Sequence, residues 1–389
     1  MKKRTAVLGA TGSIGKSAID VLREGRERFE VVLLSSHTDI SGLLALSREF
    51  PVAALVLTGP DSVPGVSALS GNVYRGKAGL LRAIARTAPD LVVNGIAGAA
   101  GLEPSLAALD AGADLALANK ETVVMAAPLV FALAKKKGRR ILPVDSEHHA
   151  VSSLLEAHGR ENAGEIILTA SGGPFRKRKR EDFARITPEE ALAHPTWNMG
   201  PKITLDSATL ANKGLEVIEA AGLFNMPPGS ITVVIHPQSI VHSMVRLKDG
   251  AVYAQLSRPD MRLPIHNALY YPECAPCSWG HLDFAGLTLE FEAPDFEAFP
   301  MLPLAYEAAK QGGLYPAVYN AANEAAATAF LTKKAGFLDI PRVVGYVLNK
   351  DWNTAGDFES VEALQIILEA DKKARQIANA YISEKNLCS

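Results

Sequence analysis

Through residues 4–145, short apolar runs rich in β-branched residues alternate with longer stretches whose apolar positions recur every three or four residues. The first pattern marks strands and the second marks helices with one buried face. Strands are predicted at 5–9, 31–35, 54–58, 91–95, 115–118 and 140–144, with helices at 16–24, 40–49, 77–87, 102–111 and 121–136 between them. Strands that alternate with helices form a parallel sheet covered on both faces, with ligands expected beyond the carboxyl ends of the strands.

After residue 150 the rhythm changes. Strands are predicted at 165–169, 230–235, 240–247 and 251–257, and Lys248-Asp249-Gly250 carries the Asp-Gly signal of a tight hairpin. A mixed or antiparallel sheet with helices is expected there. From residue 298 onward, Ala-rich segments punctuated by Pro300, Pro316 and Pro341 predict helices at 298–311, 318–333, 340–349 and 360–384. The fold class is therefore α/β with three parts: a doubly wound, Rossmann-type nucleotide-binding domain over 1–150, a central α+β catalytic domain over 151–285, and a C-terminal α-helical domain over 286–389.

Bulk properties narrow the function classes. A chain of 389 residues can bury several cores. A net charge of −2 gives no global field for nucleic acid or an anionic membrane. The one strong basic run, Arg176 to Arg180, reads as a solvated loop or helix start, with a place near an anionic ligand as the second reading. Three cysteines make no disulfide framework, and Cys274-x-x-Cys277 between Pro272 and Pro276 reads as a structural turn. No apolar run is long enough for a membrane span or a signal peptide, so a cytoplasmic location is expected.

The candidate chemistry lies in the loops and helix starts. Gly9-Ala10-Thr11-Gly12-Ser13-Ile14-Gly15 follows the first predicted strand and opens the first predicted helix, where glycines let the backbone approach a pyrophosphate. The second strand ends in Ser35-Ser36-His37-Thr38 without an acid at its tip. That leaves room for a 2′-phosphate, to which Ser36, His37 and Thr38 can donate, and so predicts NADP.

Asp145-Ser146-Glu147 places two carboxylates one residue apart. In an extended segment they share a face, where they can hold a divalent ion with a third acid from elsewhere; a solvated strand end is the plainer reading. Asn119-Lys120-Glu121 sits at the carboxyl edge of the fifth strand. Ser171-Gly172-Gly173-Pro174 is a candidate phosphate cradle or a simple Gly-Pro turn. Asp206 reads as a helix N-cap, and Asn212, Lys213 and Glu216 share one helical face. His194-Pro195-Thr196-Trp197-Asn198-Met199-Gly200 is a candidate lid or a packed connecting loop.

These motifs, with His236-Pro237-Gln238-Ser239, occur in order across nearly the whole chain, which resembles the 1-deoxy-D-xylulose 5-phosphate reductoisomerases. The resemblance implies rearrangement of 1-deoxy-D-xylulose 5-phosphate and its reduction with NADPH to 2-C-methyl-D-erythritol 4-phosphate, in non-mevalonate isoprenoid biosynthesis. It implies Mg²⁺ or Mn²⁺ on Asp145, Glu147 and Glu216. Lys120, Ser146, Ser171, His194, Trp197, Ser207, Asn212, Lys213 and Glu216 would contact substrate, with Met199 in the lid. Lys120, Lys213 and Glu147 would serve the chemistry. Thr11, Gly12, Ser13, Ile14, Asn119, Glu121 and Gly200 would join Ser36, His37 and Thr38 around the cofactor. A homodimer is implied, consistent with apolar hairpin strands around 231–257. The family commonly carries a Gly-Lys/Arg-Asn type sequence where this chain has His37-Thr38-Asp39. Two other readings compete: a metal-independent dehydrogenase of the semialdehyde or homoserine type, and a non-catalytic NADP sensor.

Overall fold

The computed structural model describes residues 1–60, 72–197, 199–354, 356–360 and 362–385. In chain order the first elements are β1 (Lys3–Leu8), α1 (Ser13–Glu24), β2 (Phe29–Ser36), α2 (Ile40–Glu49), β3 (Ala54–Leu57), β4 (Val73–Arg75), α3 (Gly76–Thr87), β5 (Leu91–Asn94), α4 (Leu102–Asp110), β6 (Asp114–Leu117), α5 (Lys120–Lys137) and β7 (Ile141–Pro143). There follow α6 (Ser146–His158), β8 (Ala163–Ala170), α7 (Pro188–Ala191), α8 (Pro201–Ala208), α9 (Ala211–Phe224), β9 (Ile231–Ile235), β10 (Val241–Leu247), β11 (Val252–Leu256) and α10 (Arg262–Tyr270). The chain closes with α11 (Met301–Gln311), α12 (Tyr315–Leu331), α13 (Asp339–Leu348) and α14 (Glu362–Glu384).

Two compact units are formed. One comprises Met1–Thr122, Val130–His149 and Asp260–Gly280, and the other Val123–Leu129, Ala150–Pro259 and His281–Ser389. The first carries a seven-stranded parallel sheet in the order β4-β3-β2-β1-β5-β6-β7. The inner strands β3 and β5 are buried along their whole length, as expected of a sheet with both faces covered. Val7, Ala18, Ile19, Leu22, Leu34, Leu91 and Val93 form part of its core, which α10 completes with Ile265, Ala268 and Leu269. The order of connection reverses between β1 and β5, so the carboxyl ends of these two strands frame the crevice where such sheets bind ligands.

The second unit carries a four-stranded mixed sheet in the order β11-β10-β8-β9. β10 is antiparallel to β8 and β11, and β9 runs parallel to β8. The Lys248-Asp249-Gly250 hairpin forms as expected: the Gly250 amide donates to Leu247 O (2.9 Å) with Gly250 at φ +92°. The predicted helices at 298–311, 318–333, 340–349 and 360–384 appear as α11 to α14, with Pro316 in the first turn of α12. His236 ties an irregular segment to the sheet. Its Nε2 accepts from the amides of Ile240 and Val241 (3.1 Å each), which leaves Nδ1 to donate to Glu290 O (2.8 Å).

Two sequence expectations are corrected. Asp145-Ser146-Glu147 is not extended: β7 stops at Pro143 and α6 begins at Ser146, so the two acids do not share a strand face. Asp206 is not an N-cap but lies inside α8, two residues from its end. The basic run is a surface feature, with Arg176 bonded to Glu292 (2.9 Å) and Arg178 to Glu190 (2.8 Å). Cys274 is exposed, while Cys277 Sγ donates to Trp279 O (3.6 Å) and burial pushes its thiol up. Cys388 lies outside the described residues. Among the described residues, no helix is long and apolar enough to cross a membrane.

Candidate functional site

In the first unit, the turn after β1 is tied to the end of β2. The Gly9 amide donates to Ser35 Oγ (3.0 Å), the Ala10 amide to Ser35 O (2.7 Å), and Thr11 Oγ1 lies 2.8 Å from Ser36 Oγ. α1 begins at Ser13 with no side-chain cap and no acid in its first turn, which leaves its amino-terminal amides to an external anion. Gly15 must lack a side chain, because a Cβ there would sit 2.2 Å from Gly9 O. Gly12 and Ser13 are exposed while Thr11 and Ile14 are half-buried, which suits a loop that presents backbone to a ligand.

The three proposed 2′-phosphate donors separate. His37 and Thr38 are exposed, whereas Ser36 is buried beneath Thr11. Asp39 caps α2, its Oδ1 accepting from the Gly42 amide (2.8 Å).

Asn119 caps α5 and is 2% exposed. Its Oδ1 accepts from the amide (3.0 Å) and hydroxyl (2.6 Å) of Thr122, and its Nδ2 reaches Ile96 O (2.8 Å), Gly98 O (2.9 Å) and Glu121 Oε2 (2.9 Å). The side chain thus joins the loop after β5 to α5, so any cofactor contact falls to its backbone. Lys120 follows as the first helical residue and is ion-paired with Asp145, both side chains nearly buried. The Ser146 hydroxyl donates to Glu147. His148 is fully buried with Nδ1 3.6 Å from Asp145 Oδ2, and His149 is bonded to Asn267 (2.9 Å).

The second unit holds the remaining residues. β8 delivers Ser171 at its carboxyl end, and Gly173 (φ +67°) packs so closely on α8 that a Cβ would lie 2.7 Å from Ser207 O. Leu210, buried and at φ +59°, makes the sharp joint between α8 and α9, so Ser207 ends one helix as Asn212 and Lys213 begin the other. On α9 the predicted face is real. Asn212 Nδ2 donates to Glu216 Oε1 (2.7 Å), and buried Lys213 is ion-paired with buried Glu216. Nothing in the sequence announces the left-handed backbone at Leu210.

His194 Nδ1 accepts from the amides of Thr196 (3.1 Å) and Trp197 (2.9 Å), which puts the proton on Nε2, 3.0 Å from Ser171 Oγ. Burial holds His194 below the ordinary imidazole value. The neutral ring makes this clasp, so the clasp is complete above the ordinary value and is lost only as pH falls through the lowered one. We expect Trp197 emission, read as the difference from Trp197→Phe, to stay flat on acidification to the ordinary value and to change below it. A transition at or above that value would contradict this. Met199 and Gly200 close the loop into α8, and Asn198 lies outside the described residues.

Three family models match in succession: 1-deoxy-D-xylulose 5-phosphate reductoisomerase over residues 5–127, the C-terminal domain of that family over 141–224, and a further DXP reductoisomerase C-terminal domain over 256–377. The 1-deoxy-D-xylulose 5-phosphate reductoisomerase of Chlorobium chlorochromatii is 49% identical over 382 residues, 97% of this chain and 99% of that one. The protein of the same description from Treponema pallidum is 45% identical over 384 residues, 98% of each. A crystal structure of DOX-P reductoisomerase in complex with NADPH, fosmidomycin and magnesium superposes with a TM-score of 0.93 at 40% identity, covering 98% of both chains. The enzyme from Zymomonas mobilis in complex with NADPH gives 0.88 at 40%, covering 98% of this chain and 99% of the other.

Proposed function

From the premise that the chain belongs to the 1-deoxy-D-xylulose 5-phosphate reductoisomerase family, we infer that it converts 1-deoxy-D-xylulose 5-phosphate to 2-C-methyl-D-erythritol 4-phosphate with NADPH and a divalent metal. The residue assignment is supported by the face of α9 on which half-buried Asn212 and buried Lys213 meet buried Glu216, and by the close approach of Gly173, in the Ser171-Gly172-Gly173 turn, to Ser207. A buried cation next to small hydroxyl and amide donors suits a phosphate group. Ser171, Ser207, Asn212 and Lys213 bind the substrate's phosphate and hydroxyl end, and Lys120 and Ser146 contact its other end. His194, Trp197 and Met199 close over it and exclude water, which strengthens every charge interaction inside.

Asp145, Glu147 and Glu216 hold the metal. Their chemistry fits a hard divalent ion, Mg²⁺ or Mn²⁺, since all three offer carboxylate oxygens. Asp145 and Glu216 are already held against lysine ammonium groups, as expected of acids shaped to meet positive charge. When bound, the metal supplies positive charge where two neighbouring substrate oxygens become negative, and NADPH supplies hydride. Lys120 and Lys213 add fixed positive charge at those oxygens or at the phosphate. Thr11, Gly12, Ser13, Ile14 and Gly200 bind the cofactor with the backbone of Asn119 and with Glu121, and His37 and Thr38 receive the 2′-phosphate beside the buried Ser36.

Residues 1–150 are assigned to nucleotide binding, 151–285 to catalysis and dimerisation, and 286–389 to the helical domain, with Asp260–Gly280 of the central stretch packing in the first unit. The protein works as a cytoplasmic homodimer. Support for the dimer comes from β11, an edge strand that exposes Val252 and Tyr253.

The decisive assay follows nicotinamide oxidation with the deoxyxylulose phosphate, using NADPH or NADH, before and after chelation. Turnover should need metal, and kcat/KM should be higher with NADPH. Full activity after chelation would restore the metal-independent dehydrogenase reading. Cofactor binding without turnover would restore the sensor reading.

A further inference from the structure

The α8–α9 joint that carries Ser207 and Lys213 is braced from a distant part of the sequence. Tyr319 and Asn323 lie four residues apart on α12 and therefore share a face. Each is at most 1% exposed, and each meets the joint one residue away from a proposed phosphate ligand. Tyr319 OH donates to Met301 O (3.0 Å) and lies so near Gly214, the residue after Lys213, that a Cβ on Gly214 would come within 2.8 Å of it. Asn323 Nδ2 donates to Oδ1 of Asp206, the residue before Ser207, at 2.9 Å. The other oxygen of Asp206 takes Lys202 Nζ at 2.6 Å, one turn back on α8. Asp206 is 1% exposed, so both oxygens need donors, and Asn323 is the donor that comes from outside the helix. Burial raises the Tyr319 phenol well above its ordinary value, and the Asp206 carboxylate adds to the effect, which agrees with the closeness of the three groups.

We propose that Asn323 is a positioning residue for the phosphate subsite: through Asp206 it fixes the end of α8, and hence the place of Ser207 relative to Lys213. The proposal rests on the assignment of these two residues to the substrate phosphate. A hydrogen bond to a buried carboxylate is among the stronger kinds, and its loss leaves an acceptor unsatisfied, so the joint should relax rather than hold its place.

The test compares Asn323→Ala, and Asn323→Leu as a volume-preserving partner, with Asp206→Asn, which keeps a carbonyl oxygen for Asn323. For both Asn323 variants, KM for the deoxyxylulose phosphate and the inhibition constant of inorganic phosphate should rise about tenfold. Over the same comparison kcat and the KM for NADPH should stay within about twofold, and Asp206→Asn should stay within about threefold of the parent throughout. Calorimetric binding of inorganic phosphate to the unaltered protein separates the two layers. If the parent binds phosphate but turns nothing over, the functional assignment fails while the positioning role is still read from phosphate affinity. Folded Asn323 variants with unchanged phosphate affinity would overturn the proposal. So would an equal loss in kcat and in NADPH binding, or failure of both variants to fold, because each would mark the contact as one of general stability.

Discussion

Gly15→Ala should abolish NADPH binding, with an affinity loss of at least about a hundredfold in a fluorescence titration. The added methyl carbon would stand 2.2 Å from Gly9 O and 2.5 Å from the Cα and carbonyl carbon of Ala10, against roughly 3.5–4.0 Å for an ordinary carbon contact. The atoms it meets are backbone, so no side chain can turn aside. Either α1 is pushed off the sheet, taking the fully packed Ala18, Ile19 and Leu22 with it, or the Gly9–Gly15 turn opens. Overpacking of this kind costs about 1–3 kcal/mol or more, so the melting temperature should fall as well. Gly12→Ala is the internal control. Its Cβ would come only to 3.3 Å of Gly9 O at an exposed position, and binding should weaken far less. Equal losses in the two variants would show that side-chain bulk over the cofactor matters, not the packing of helix on strand.

Lys213→Ala should lower kcat/KM by about a thousandfold, the effect of removing a preorganised charge from the reacting groups. It should also destabilise the protein. Glu216 is 0% exposed, and the substitution removes the ammonium group paired with its carboxylate. Breaking a buried ion pair from one side costs about 3–5 kcal/mol. The two effects should separate. Added Mg²⁺ should restore much of the melting temperature by meeting the carboxylate, and Lys213→Ala/Glu216→Gln should regain stability by removing the charge, yet neither should regain turnover. A folded Lys213→Ala enzyme within tenfold of the parent would remove Lys213 from the chemistry.

Long-period features of this chain could be read directly. The alternation over 4–145 predicts each strand of the parallel sheet except β4, an edge strand whose three residues are half-buried or exposed and carry no apolar run. The Asn212-Lys213-Glu216 face was legible because helical spacing alone brings positions four apart together. The start of α6 was not. Acids and Ser at 145–147 suit a helix beginning as well as they suit a strand end, and the apolar pairs Ala150-Val151 and Leu154-Leu155 carry the period that decides between them. Asp206 failed in the opposite sense: a favoured capping residue lies in the last turn of α8, its buried carboxylate met by Lys202 and by Asn323, over a hundred residues later. Pairings at that distance have no local signature.

Asp39, bound to the start of α2, bears on how the proposed 2′-phosphate site would tell one nicotinamide from the other. Its carboxylate faces the helix's own amides and the Ser41 hydroxyl, so its charge is largely compensated. It therefore does little to repel a phosphorylated ribose, and it does not offer the paired acceptors that reward an unmodified one. On the proposed assignment, preference for the phosphorylated coenzyme then rests on attraction at His37 and Thr38 rather than on exclusion of the other.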